Sequence, residues 1–108
     1  EIFMLGLSYK KNIDDLRESP SLDLIKHLEK FKAKVSYHDP FFKQLPVTRK
    51  NNSQKASIEL NPENLKKADL VLIATDHDVF DYNLIEKHSK LIVDTRGRMQ
   101  PGNNIYRS

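Results

Sequence analysis

Residues 70–74 read Leu-Val-Leu-Ile-Ala, an unbroken apolar run with Asp69 before it and Thr75 after it. A run this short, with no alternation, suits a strand covered on both faces, which is the condition of a parallel sheet. Two other stretches have the same character: Ile2-Phe3-Met4-Leu5, ending at Gly6, and Leu91-Ile92-Val93. Val35-Ser36-Tyr37-His38-Asp39 alternates, is rich in β-formers and is closed by Pro40, so it reads as a further strand.

Helical patterns separate these strands. Ser19-Pro20 is a helix start, with a side-chain cap followed by a proline at the first helical position. Leu24, Ile25, Leu28 and Phe31 follow as one apolar stripe. Lys30, Lys32 and Lys34 crowd its end, where the helix dipole favours cations. Asn61-Pro62 repeats the start signal for a short helix through Lys67, and YNLIEKH at 82–88 is a third, amphipathic one. Residues 98–108 show no periodicity and read as an irregular tail.

Strands alternating with helices imply right-handed crossovers. The expected fold is α/β: a three-layer, Rossmann-like open parallel sheet of about four to five strands with flanking helices. The 108 residues make one domain. A buried strand beginning at residue 2, with no initiator Met, reads as part of a longer chain. No apolar run approaches the ~18 residues that span a bilayer, and no basic segment precedes the first apolar run as in a secretory signal. With no cysteine there is no disulfide framework and no thiolate site. The cytoplasm is the expected compartment.

The net charge of +3 is local. Lys43, Arg49, Lys50 and Lys55 fall in 41–57 with no acid, leaving 14 basic against 15 acidic residues elsewhere. That segment reads as a solvated loop, disordered at its tip, and no aromatics interleave with its lysines as nucleic-acid stacking requires. No nucleic-acid or membrane partner is expected.

In open α/β sheets ligands bind beyond the carboxyl ends of the strands. That rule selects the loops 8–19, 39–46, 75–81 and 94–99. The first holds Lys10, Lys11 and Arg17 ahead of a helix N-terminus, a combination suited to an anion. Pairing of Arg17 with Asp14 or Asp15 is the structural alternative. The last loop presents Arg96 after Asp94, either as an anion ligand or as an ion-pair partner, and its neighbour Arg98 reads as solvated. Thr75-Asp76-His77-Asp78 has metal-ligating residue types, but three adjacent residues rarely converge on one ion. Capping of the following helix by Asp78 or Asp81 is the better reading, and no metal site is assigned. His38 reads as a satisfied core or edge residue. With only Gly6, Gly97 and Gly102, the chain lacks a G-x-G-x-x-G dinucleotide fingerprint, and it has no P-loop or nucleophile elbow. Alone it reads as able to bind and not to catalyse, with no catalytic residue assigned.

GLSYKKNIDDLRESPSLDLIKHL at 6–28, with VSYHDP at 35–40, ADLVLIATDHDVFDY at 68–82 and LIVDTRG at 91–97, resembles the C-terminal, nucleotide-sugar-binding domain of the UDP-glucose/GDP-mannose dehydrogenase family. DDLRESP and ATDHDVFDY look most like members acting on UDP-N-acetylhexosamines. The resemblance implies that Lys10 and Arg96 contact the UDP-sugar and that Arg17 reaches NAD held mainly on an N-terminal domain. The implied reaction is two successive NAD-dependent oxidations of the sugar's C6 alcohol to a carboxylate, for surface polysaccharide synthesis. A cysteine that captures the intermediate aldehyde would lie on domains this chain does not include. The implied partners are the N-terminal and central domains of the parent enzyme, in a homodimer. Gly97 stands where many UDP-glucose members carry a second arginine. The alternatives are the same domain of a UDP-glucose 6-dehydrogenase, or a stand-alone regulatory module that binds UDP-sugars.

Overall fold

The computed structural model describes residues 1–7, 20–44, 56–99, 102 and 104–107. Strand β1 (Ile2–Leu5) is followed by helix α1 (Pro20–Lys30), β2 (Val35–His38), α2 (Pro62–Lys67), β3 (Leu70–Ile73), α3 (Tyr82–His88), β4 (Ile92–Asp94) and β5 (Ile105–Arg107). The five strands form one sheet in the order β2-β1-β3-β4-β5, and every neighbouring pair is parallel. This is the expected α/β architecture.

The register turns the apolar runs into two packed faces. Phe3 pairs with Val71, Val71 with Ile92, and Ile92 with Ile105. That row packs with Leu65 of α2 and Ile85 of α3. One residue on, Met4 lies between Tyr37 and Leu72, and this row packs on Ile25 of α1. Successive side chains point to opposite faces, so a strand covered on both faces needs an apolar residue at every position. This is why β1 and β3 show no alternation in sequence.

Asn61 caps α2 by accepting from the Asn64 N–H at 2.8 Å, and Asp81 caps α3 by accepting from the Leu84 N–H at 3.1 Å. Helix α1 begins at Pro20 as its sequence implies; its expected cap, Ser19, lies outside the described residues, as does the tip of the basic segment at 45–55. The ends of that segment meet in an antiparallel bridge between Gln44 and Ala56.

Two expectations are corrected. Phe31 does not extend the apolar stripe of α1: it lies beyond the helix and is 83% exposed. The helix stops because Lys32 takes φ 66°. The Lys32 N–H then donates to Glu29 O (3.0 Å) and the Ala33 N–H to Leu28 O (3.1 Å), which is a Schellman C-cap with lysine where glycine is usual. Replacing Lys32 by glycine removes the Cβ strain of that conformation. It should stabilise the chain by about 1 kcal/mol, raising the thermal midpoint by about 4–8 °C. An unchanged or lower midpoint would contradict this cap. The second correction is the tail: it supplies β5, whose Ile105 is buried beside Ile92. Three residues are too few to show a period, and only pairing with β4 makes them a strand.

Candidate functional site at the carboxyl ends of the strands

The strand order reverses at β1. Its crossover through α1 leads outward to β2, and the next one brings the chain back past β1 to β3. The crevice of such a sheet opens beyond β1 and β3. At that point the two chain exits touch. The Ala74 and Thr75 N–H groups both donate to Leu5 O, at 2.9 and 3.2 Å. Gly6 has φ +86°, and a Cβ placed on it would fall 2.5 Å from Thr75 Cβ and 2.7 Å from Thr75 O.

Beside this contact Asp39, at the exit of β2, is 1% exposed. One carboxylate oxygen accepts from the Leu7 N–H at 2.8 Å and lies 3.2 Å from His77 Nε2; the other accepts from the Phe41 N–H at 2.8 Å. Asp39 therefore ties together the exits of β1, β2 and β3. His77 is fully buried, with the Phe41 and Phe80 rings edge-on to it at 5.0 and 5.3 Å. Tyr37 lies one row below. Burial first, and then the Asp39 charge, pushes its phenol up to about 12, so it stays protonated and donates to Phe42 O at 3.1 Å.

The exit of β4 forms the other lip. Asp94 is fully buried and accepts from the Arg96 and Met99 N–H groups at 3.0 and 2.7 Å. Thr95 donates its hydroxyl to Ile73 O at 2.6 Å. These bonds hold the loop against β3 and leave Arg96 exposed, its Nε donating to Ala74 O at 3.0 Å. Arg96 thus stands at the mouth of the crevice. Lys10 and Arg17 lie outside the described residues.

Arg98 is exposed, as the sequence suggests, but it is paired. Its guanidinium donates to Asp78 Oδ1 at 2.7 Å and to Asp76 O at 3.3 Å, and lies 3.5 Å from Asp76 Oδ2. It also covers the Tyr82 ring at 4.8 Å. Burial raises the Tyr82 phenol, with the Arg98 charge pulling the other way, and the phenol donates to His77 O at 2.7 Å. Asp76 and Asp78 thus share Arg98 while His77 turns to Asp39, and Asp81 caps α3. Among the described residues no three His, Cys, Asp or Glu side chains converge as metal ligands, and no helix is long and apolar enough to cross a membrane. His38, on an edge strand, has its Nδ1 2.8 Å from Ile58 O.

Dinucleotide sites use a glycine-rich turn running straight into a helix N-terminus. The sequence between β1 and α1 holds no glycine after Gly6, and Gly6 itself is packed against Thr75.

A parallel α/β sheet of this topology offers its ligand crevice at the lip where Arg96 stands, and a guanidinium there is suited to an anion. Residues 3–101 match the UDP-glucose/GDP-mannose dehydrogenase family, UDP binding domain. The chain belongs to this family. It is 36% identical over 103 residues to the NDP-N-acetyl-D-galactosaminuronic acid dehydrogenase of Ralstonia solanacearum, covering 89% of this chain and 22% of that protein. It is 37% identical over 81 residues to the UDP-N-acetyl-D-mannosamine dehydrogenase of Campylobacter jejuni, covering 74% of this chain and 20% of that protein. The structure of UDP-D-ManNAc dehydrogenase from Pyrococcus horikoshii superposes with a TM-score of 0.71 at 25% identity, covering 98% of this chain and 24% of that one. The chain spans about a fifth of the length of these curated relatives.

Proposed function

We propose that this chain is the nucleotide-sugar-binding, C-terminal part of an NAD-dependent UDP-N-acetylhexosamine 6-dehydrogenase. The parent enzyme oxidises the sugar's C6 alcohol to the uronic acid, for surface polysaccharide synthesis in the cytoplasm. The observation that carries the reading is Arg96: an exposed guanidinium fixed at the crevice mouth of a UDP binding domain. The relatives named for N-acetylated sugars support the substrate class.

In this reading Arg96 and Lys10 hold the UDP-sugar and Arg17 reaches toward NAD bound on the N-terminal domain. NAD accepts the hydride when bound, and a nucleophilic cysteine must come from elsewhere in the parent, since this chain has none. The parent works as a homodimer. The contribution of this chain is to bind and orient.

The test is NADH formation by the parent enzyme with UDP-N-acetylglucosamine, UDP-N-acetylgalactosamine and UDP-glucose in parallel. Turnover with an N-acetylated sugar and little with UDP-glucose is expected, and preference for UDP-glucose would overturn the substrate class. Arg96→Ala and Lys10→Ala should each lower kcat/KM about ten- to a hundredfold, the effect of losing one charged contact of ~1.5–3 kcal/mol. Near-normal kinetics in both would remove these residues from the site.

A further inference from the structure

Arg96 and Arg98 stand two residues apart in one loop, yet their guanidinium groups face different surroundings. Gly97 between them takes φ +66°, and Arg98 beyond this turn reaches the β3 loop. There it meets Asp78 at 2.7 Å and Asp76 at 3.5 Å, with Tyr82 beneath it at 4.8 Å. Arg96 is anchored to Ala74 O, two residues before Asp76. Two residues of chain span at most ~7 Å, which is within the ~8 Å screening length of physiological salt. The Asp76 carboxylate therefore lies close enough to repel a diphosphate approaching Arg96, and Arg98 holds it together with Asp78.

We infer that Arg98 is a positioning residue for capture of the nucleoside diphosphate. It offsets part of the charge of Asp76 and Asp78 and fastens the β4 loop to the β3 loop, so that Arg96 meets the anion against a less negative wall. This rests on the UDP-sugar reading above. Arg98 acts on the diphosphate through these acids, because its Nη1 is held by Asp78 Oδ1 and the Asp76 carbonyl and its face lies over the Tyr82 ring. A single exposed ion pair is worth little. Here one guanidinium holds two acids, a backbone carbonyl and a ring, and one of those acids, Asp76, is only 16% exposed.

The experiment is calorimetric titration of UDP into the intact protein that carries this chain. The series comprises wild type, Arg96→Ala, Arg98→Ala, Arg98→Lys, and the triple variant Arg98→Ala with Asp76→Asn and Asp78→Asn. Arg98→Ala should weaken UDP about tenfold, the scale of one lost charge-assisted contact. The deficit should shrink as salt rises from about 50 to about 500 mM. The triple variant should recover to within about threefold of wild type, and Arg98→Lys should fall between, keeping the charge without the fork. Arg98→Ala binding within about twofold of wild type would overturn the inference. So would a triple variant as weak as Arg98→Ala, which is the outcome if Arg98 contacts the diphosphate directly or only shapes the loop. Loss in Arg96→Ala with none in Arg98→Ala overturns this inference alone. Wild-type protein that takes up no UDP overturns the functional reading itself, and the inference with it.

Discussion

Gly6→Ala is expected to destabilise the chain by about 2–5 kcal/mol, a substantial part of the ~5–15 kcal/mol that holds a domain of this size folded. Two costs combine. At φ +86° a side chain strains the backbone by roughly 1–2 kcal/mol. The added methyl also needs space already taken by Thr75 Cβ at 2.5 Å, Thr75 O at 2.7 Å and Thr75 N at 2.9 Å. Two of those three atoms are backbone of the neighbouring strand exit, so no rotamer change relieves them, and overpacking of this kind costs about 1–3 kcal/mol. In urea, with a slope of about 1–3 kcal/mol/M, the midpoint should fall by ~0.7 M or more. Gly102→Ala is the matched control. Its new Cβ would meet Ile105 Cδ1 at 3.5 Å, Ile105 Cγ1 at 3.8 Å and Asn104 Oδ1 at 3.9 Å, all ordinary contacts, so the midpoint should barely move. A Gly6→Ala protein as stable as the Gly102→Ala one would mean that the β1 and β3 exits do not touch as described. Function should follow stability here, because the same contact brings the two lips of the crevice together.

The second large effect is expected at Asp39. Asp39→Ala removes the acceptor for the Leu7 and Phe41 N–H groups and the partner of His77, which is itself fully buried. Truncating one member of a buried polar network costs about 3–5 kcal/mol, because the remaining members lose both water and partner. Asp39→Asn keeps the shape and one oxygen, but presents an amide donor to at least one of the former donors. Its cost should be intermediate, about 2 kcal/mol. Urea midpoints ordered wild type, Asn, Ala would support the assignment, and an Ala variant within about 1 kcal/mol of wild type would refute it. In the parent enzyme the same variants should bind UDP-sugar more weakly, since the carboxylate holds Leu7, three residues before Lys10 in the sequence.

Much of this molecule is legible without its tertiary structure. The apolar runs at 2–5, 70–73 and 92–93 become buried parallel strands because burial on both faces requires an apolar residue at every position. Asn61 and Asp81 act as caps, since a cap needs only a short polar side chain and an N–H three residues on. Arg96 falls at a strand exit, the side of the sheet where the topology rule seeks a ligand. All of these are local in sequence, within a turn or a strand of the residue concerned.

Tertiary structure decided the rest, through contacts that no window of sequence contains. Asp39 and His77 are 38 residues apart, and Arg98 and Asp78 are 20 apart. VSYHDP and ATDHD each hold one half of the buried pair, and neither half names its partner. Phe31 continues the helical period of α1, but Lys32 ends the helix in a left-handed turn and leaves the ring in solvent. Residues 105–107 have no signal of their own and become a strand only by pairing with β4. The physical reason is common to all four. Periodicity and capping report free energies of one segment, whereas a satisfied buried charge, a helix stop without glycine and an edge strand depend on what the rest of the chain brings alongside.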